Sequence, residues 1–269
     1  MFFIKIIVGE GKMKTYFYSD ELNDDFAFAY IKNQREIEDN YNYINHNILF
    51  MIMEFVVYRI IMTTIAYLTC KKRHVKIKNR RVVKKAKGKY FLYGNHTQMP
   101  TDAYIPNLIG FPRKSFIIVN PDAVSLRPFA WFVKMSGSLP VPSNVTGLRN
   151  FMDAIDRRVK HHHPVVIFPE AHIWPYYTKI RPYKATSFRY PVKLDRPAFC
   201  FTTTYQKRRL SKKPKITVYV DGPFYHNKEL KGKLAEQELR DRIYECMKKR
   251  SELSNYEYYK YYKRTEVND

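Results

Sequence analysis

The chain has 269 residues, 45% hydrophobic and 16% aromatic, which is enough apolar material to bury a full core and too much for a disordered chain. Its 48 Lys and Arg against 25 Asp and Glu leave a formal net charge of +23 at pH 7. A charge of that size draws anionic partners, whether a phospholipid surface, nucleic acid or an acidic carrier protein, and by itself does not choose among them.

Residues 1–46 read as an accessory segment. Alternation in Thr15 to Ser19 predicts a strand, and Asp20, Glu21, Asp24 and Asp25 form an acidic cluster. The cluster lacks the ligand order and glycine of a calcium loop, so it is expected to pack on the basic body. The opening Met1-Phe2-Phe3-Ile4-Lys5 has neither a charged leader nor a small-residue cleavage site, and no signal peptide is expected.

Residues 47–70 form the most apolar stretch and predict a helix. Glu54 and Arg59 fall near its centre, and each costs about 2.5–3.5 kcal/mol on membrane-insertion scales. That favours a helix lying in or dipping into a membrane interface over one that spans it, the alternative being a helix packed on the catalytic domain or a second subunit. Residues 71–90 follow with eleven Lys or Arg and no acid. An apolar segment leading into a polybasic one is the arrangement that binds an anionic membrane face, and the positive-inside rule puts the functional part on the cytoplasmic side.

Residues 71–253 read as a catalytic domain. Lys89-Tyr90-Phe91-Leu92-Tyr93 is strand-like, Gly94 breaks it, and Pro100-Thr101-Asp102 reads as a capped helix start. Between them lies Asn95-His96-Thr97-Gln98-Met99, which places His96 at the mouth of a strand-to-helix turn with Asp102 about one turn beyond. An imidazole near its ordinary pKa can take a hydroxyl proton at neutral pH, and a carboxylate on its other nitrogen fixes the tautomer and stabilises the imidazolium. No Ser or Cys nucleophile is needed if the substrate brings the hydroxyl.

Further along, Ser115 to Asn120 is strand-like, and Leu148, Phe151, Met152, Ile155 and Val159 follow helical spacing. Val165-Val166-Ile167-Phe168 predicts a buried strand that ends at Pro169-Glu170, a second carboxylate just past a strand end. Ala198 to Thr204 and Ile216 to Val220 add two strands around the basic run Lys207 to Lys215. Leu230, Leu234, Leu239, Ile243 and Met247 trace a C-terminal amphipathic helix. The expected fold is α/β, a largely parallel central sheet flanked by helices, with an N-terminal membrane-associating helix. Residues 254–269, rich in Tyr and Lys, read as a partly disordered tail. Cys70, Cys200 and Cys246 lie far apart without metal spacing, which argues against a disulfide framework or zinc and suits a reducing compartment.

Asn95-His96 with Asp102, followed by Phe168-Pro169-Glu170-Ala171, resembles the lysophospholipid acyltransferase family, the glycerolphosphate and 1-acylglycerol-3-phosphate acyltransferases. That family carries an Asn-His-x4-Asp block and, roughly seventy residues later, a Phe-Pro-Glu-Gly block. Two departures stand out. Asp102 follows His96 after five intervening residues, so the turn must bulge by one, and Ala171 replaces the family glycine, which is expected to remove the left-handed backbone there. The family's arginine block has its nearest match in Val119 to Arg127.

The resemblance implies a one-step acyl transfer with His96 as base, Asp102 as its orienter, and Asn95, Glu170 and Arg127 on the substrate side. The loop after Glu170 supplies Lys179, Arg181 and Arg189 for phosphate, the arginines being suited to bidentate recognition. Acyl-CoA, acyl-ACP or acyl phosphate would enter as co-substrate, with no cofactor and no metal. The partners implied are a lysophospholipid acceptor, an anionic phospholipid membrane and an acyl carrier protein, and not nucleic acid. Two other readings compete. One is a metal-dependent hydrolase built from His96, Asp102, Glu170 and His172, with His161, His162 and His163 in reserve. The other is a basic protein without catalysis that binds nucleic acid, through charge and exposed Tyr, or an anionic membrane, and it leaves both strand-end motifs unexplained.

Overall fold

The computed structural model describes residues 13–26, 36–125 and 130–264. Seven strands form one sheet in the order β2-β8-β7-β3-β6-β4-β5. They are β2 (Val75–Lys78), β3 (Phe91–Gly94), β4 (Phe116–Val119), β5 (Ser138–Pro140), β6 (Val165–Ile167), β7 (Ala198–Arg208) and β8 (Ser211–Phe224). All pairings are parallel except β7 with β8, which the basic run joins as a hairpin with Arg208 opposite Ser211. A separate parallel pair joins β1 (Thr15–Tyr18) to β9 (Lys260–Lys263).

Why the central strands are apolar throughout follows from what covers them. In β3, Phe91 and Tyr93 face one core and Leu92 the other; in β6, Val165 and Ile167 divide from Val166 in the same way. Side chains alternate along a strand, so a strand buried on both faces needs no polar positions. The first core is closed by α5 (Gly147–Lys160) through Phe151, Ile155 and Val159, and by α7 (Lys233–Ser251) through Leu239, Ile243 and Met247. The second is closed by α1 (Ile48–Lys72) through Tyr58, Met62, Ala66 and Cys70, and by α2 (Ile105–Gly110) through Ile105 and Ile109. Shorter helical pieces are α3 (Asp122–Ser125), α4 (Ala130–Met135) and α6 (Arg189–Leu194).

In α7 the buried stripe is Ala235, Leu239, Ile243, Met247 and Ser251, a strict four-residue spacing. Leu230 precedes the helix and Leu234 is 68% exposed, so these two leucines fall off the stripe expected for them. The region after Ser254 is ordered at least to Arg264: Tyr258 and Tyr259 are buried, and β9 hydrogen-bonds to β1. Up to Arg264 the tail expected to be partly disordered carries a strand instead, because tyrosine there packs on tyrosine, Tyr258 and Tyr259 both meeting Tyr176 edge-on.

α1 has two characters. One side packs on the sheet, and both charges expected to burden it lie where partners meet them. Glu54 sits 2.9 Å from Lys114 Nζ, and Arg59 donates to the Pro112 carbonyl at 2.8 Å while lying over the Phe111 ring. The other side leaves Ile48, Leu49, Ile52, Phe55, Ile60 and Leu68 each more than half exposed. The helix is 25 residues long and apolar enough to cross a membrane by length and composition.

Candidate active site

Gly94 ends β3 with Phe201 beside it across the sheet. A Cβ at Gly94 would come 2.1 Å from the Phe201 ring, so the last residue before the motif has to be glycine. Asn95 then turns inward and exchanges two hydrogen bonds with β7: its amide donates to the Thr203 carbonyl at 3.1 Å, and Thr203 N–H donates to its Oδ1 at 2.8 Å. Asn95 is thus a clasp holding the loop to the sheet, 1% exposed, and not a surface ready for substrate.

His96 follows, with Nδ1 2.8 Å from Asp102 Oδ2. The extra residue between them is absorbed at Gln98, whose backbone N–H also donates to Asp102 Oδ2 at 2.8 Å and whose carbonyl accepts from Asp102 N–H at 2.7 Å. Thr101–Ala103 form a single 3-10 turn, so the aspartate rises one residue late and still meets the imidazole. Burial pushes the Asp102 carboxyl above its ordinary range, and the hydrogen bond from His96 pulls the other way. Phe168 stacks on the His96 ring at 4.4 Å between centroids. Nδ1 being engaged, Nε2 is the nitrogen left for a substrate, and the His96 side chain is 19% exposed where Asp102 is sealed.

A second layer holds this loop. Tyr205, fully buried on β7, shares a 2.6 Å hydrogen bond with Thr97 Oγ1 and accepts from Gln98 Nε2 at 3.0 Å. Gln98 Oε1 in turn accepts from Thr101 Oγ1 and from Arg73 Nη1, the latter at 3.2 Å from the C-cap of α1's last turn. Nothing in the sequence singled out Tyr205, Gln98 or Arg73, whose partners are about a hundred residues away or across the fold; the signal is tertiary.

Glu170 was expected to face the acceptor. Its carboxylate points inward instead, 3% exposed, with Oε2 accepting from His96 N–H at 3.0 Å and Oε1 from Arg181 N–H at 3.1 Å. Its role in this geometry is to fix the backbone at His96. Burial raises the Glu170 carboxyl and the adjacent Arg181 charge lowers it. Arg181, expected at a phosphate, is 1% exposed: it donates to the carbonyls of Glu170, His172 and Glu21, sits 3.7 Å from Glu170 Oε2 and lies over the Trp174 ring. A guanidinium so enclosed braces the loop and cannot reach a lipid headgroup without unpacking it. Lys179 is exposed and Arg189 half-buried, so these two remain accessible. Arg127 and the opening residues 1–5 lie outside the described residues.

The Phe168–Glu170 turn keeps its left-handed step despite the missing glycine. Ala171 adopts φ +62°, and its N–H donates to the Phe168 carbonyl at 3.1 Å. The expected loss of that conformation does not occur: the fold imposes it on alanine, at about 1–2 kcal/mol. The acidic cluster closes over this loop as expected of an accessory segment. Trp174 Nε1 donates to the Asp24 carbonyl at 2.7 Å and His172 meets Asp25 at 3.3 Å.

Of the hydrolase reading, His96 and Asp102 meet and Glu170 lies at the His96 backbone, but the other histidines point elsewhere. His172 faces Asp25, His162 Nδ1 lies 2.8 Å from the Lys87 carbonyl, and His163 Nδ1 3.2 Å from that of Lys114. Among the described residues the one group of three metal-competent side chains is Cys200, Asp221 and Cys246, with two thiols 3.9 Å apart that the sequence spacing had separated. Asp221 there is gripped by Arg250 through two hydrogen bonds of 2.8 and 2.6 Å.

His96, bonded to the buried Asp102, stands at the C-terminal end of a parallel strand, where open α/β sheets carry their sites. The Acyltransferase family model matches residues 74–222, more than half of the chain, and the chain belongs to that family. A search of curated proteins finds no match. Among solved structures, the 1-acyl-sn-glycerophosphate (LPA) acyltransferase PlsC from Thermotoga maritima is similar, with 12% identity, a TM-score of 0.51, and 75% of this chain and 86% of that one covered. At that identity the likeness speaks to the fold, and the fold is PlsC-like.

Proposed function

We propose that this acyltransferase moves a fatty acyl group from an activated donor to a free hydroxyl of a lysophospholipid such as 1-acylglycerol-3-phosphate. The observation that carries it is the 2.8 Å His96–Asp102 contact at the mouth of β3, which leaves one imidazole nitrogen for an incoming alcohol. His96 Nε2 takes the hydroxyl proton as the oxygen attacks the acyl carbonyl. The tetrahedral intermediate then collapses, the carbonyl–sulfur bond breaks, and the leaving thiolate takes the proton back from His96. Asp102 holds the imidazolium through Nδ1 and does not itself exchange the proton.

Glu170 acts through the His96 backbone, and Lys179 in the following loop and Arg189 at the start of α6 are the cations that would meet the acceptor's phosphate. The donor is an acyl thioester of coenzyme A or acyl carrier protein; an acyl phosphate would suit the same step with phosphate as leaving group. The exposed face of α1 together with the polybasic residues 71–90 supports docking on an anionic membrane, with the catalytic domain on the cytoplasmic side.

Incubation with lysophosphatidate and a labelled acyl donor tests the assignment. The His96→Ala variant should lose at least about a hundredfold in turnover with its fold intact, since it deletes the base and little packing. Turnover retained in that variant refutes the role of His96.

A further inference from the structure

Away from the dyad, the edge of the sheet holds a cavity of about 650 Å³ lined by Ile77, Asn79, Arg80, Arg81, Val82 and Lys84. Three of its six lining residues are cations and none is an acid, which is the wrong composition for a core and the right one for an anion. Its size falls within the range of small-molecule sites, about 300–1,000 Å³. Arg81 and Lys84 are exposed, and neither takes part in the His96 site.

The position of this cavity narrows its ligand. Arg80 on its wall and Arg59 on α1 flank the same ring, Phe111, at 5.8 and 4.9 Å from its centroid. Arg80 donates to the Phe111 carbonyl at 3.0 Å and Arg59 to that of Pro112 at 2.8 Å. The cavity wall and the middle of α1 are therefore fastened to one another through Phe111 and Pro112, Phe111 being 41% exposed. A polar anion site held beside an apolar helix face presents charge at the level where a membrane presents its headgroups.

We infer that the Arg80–Arg81–Lys84 cavity binds the phosphate of an anionic phospholipid headgroup, anchoring the enzyme beside α1 at a point distinct from the acyl-transfer site. The ligand chemistry is a phosphate ester, and its source is the membrane and not a dissolved anion. Arg80 is tied to Phe111, so Arg81 and Lys84 are the residues that would close on the headgroup. The inference rests on the proposed docking of residues 71–90 on an anionic membrane and gives it a site, while sharing no residue with the acyl-transfer chemistry.

Vesicle flotation of the full chain tests it, with phosphatidylcholine vesicles made with and without phosphatidate. The double variant Arg81→Ala/Lys84→Ala should weaken phosphatidate-dependent binding roughly tenfold or more. Lys76→Ala/Lys78→Ala removes the same charge from adjacent β2 and should change binding far less. Equal losses in the two double variants would mean diffuse attraction and overturn the site. So would saturable binding of inorganic phosphate to wild type, lost in Arg81→Ala/Lys84→Ala, without any difference between them on vesicles, because that places the ligand in solution. Acyl transfer to lysophosphatidate in detergent micelles should persist in Arg81→Ala/Lys84→Ala, and vesicle binding should persist in His96→Ala, so the two proposals fail separately.

Discussion

Replacing Asp102 by Asn keeps the shape of the side chain and removes its charge. The carboxylate oxygen that meets His96 Nδ1 at 2.8 Å is sealed from solvent, so its attraction for the imidazolium formed during transfer is weakly screened. Two unit charges near 4 Å interact by about 4 kcal/mol at an effective dielectric of 20, which corresponds to roughly a thousandfold in rate. Turnover of Asp102→Asn with lysophosphatidate and acyl donor at neutral pH should fall by about that factor. Stability should move the other way. Burial raises the Asp102 carboxyl in the folded state, so the group favours folding at pH below its unfolded value and loses that contribution as pH rises through the folded one. The uncharged amide escapes this loss. Asp102→Asn should therefore unfold at an equal or higher temperature than wild type at pH 7, with the difference shrinking as pH falls into the ordinary carboxylate range. A folded variant whose turnover stays within tenfold of wild type would refute the orienting role of Asp102.

Glu170→Ala leaves Arg181 buried without its counter-ion and frees the His96 N–H; denaturant unfolding should show a loss of about 3–5 kcal/mol, and full stability would show the pair to be dispensable. Ala171→Gly relieves the positive φ and should stabilise by about 1 kcal/mol in the same assay, turnover being unchanged. Tyr205→Phe strips hydrogen bonds from Thr97 and Gln98 and should destabilise by about 1–3 kcal/mol. Its kcat should fall more than its KM rises, because the loop that presents His96 loosens; an effect on KM alone would place Tyr205 at substrate binding instead.

The apolar runs that lead into His96 and Glu170 were legible because strands buried on both faces must be continuously apolar, and the two polar residues break that rule just past the strand ends. The largely parallel sense of the sheet was legible from strands alternating with helices, and α5 from the helical spacing of Phe151, Ile155 and Val159. What the sequence concealed were directions. Glu170 and Arg181 look like surface ligands because charged residues in a loop after a strand usually face water, and only the fold shows them turned inward onto backbone groups. The antiparallel β7–β8 hairpin was hidden behind a basic run that reads as a long loop. Ala171 misled in another way: the preference of a residue for positive φ predicts cost, and a well-packed neighbourhood of Phe168 and Trp174 can impose the conformation regardless. Tyr258 to Tyr262 read as a tail because their partners, Tyr16 and Tyr176, lie far off in the chain.

With Thr15 beside Lys260 in a shared ladder, the head and foot of the described chain are neighbours. A short peptide bridging them would turn the molecule into a ring, and new ends could be opened at the solvent-facing hairpin tip near Leu210, which is 94% exposed. Such a rearranged protein would keep the aromatic seam behind Trp174 while carrying its free ends at that hairpin tip. Clipping away β9 would instead strip the cover from Trp174, and the penalty would be felt at the histidine whose carbonyl accepts the Trp174 N–H at 3.1 Å.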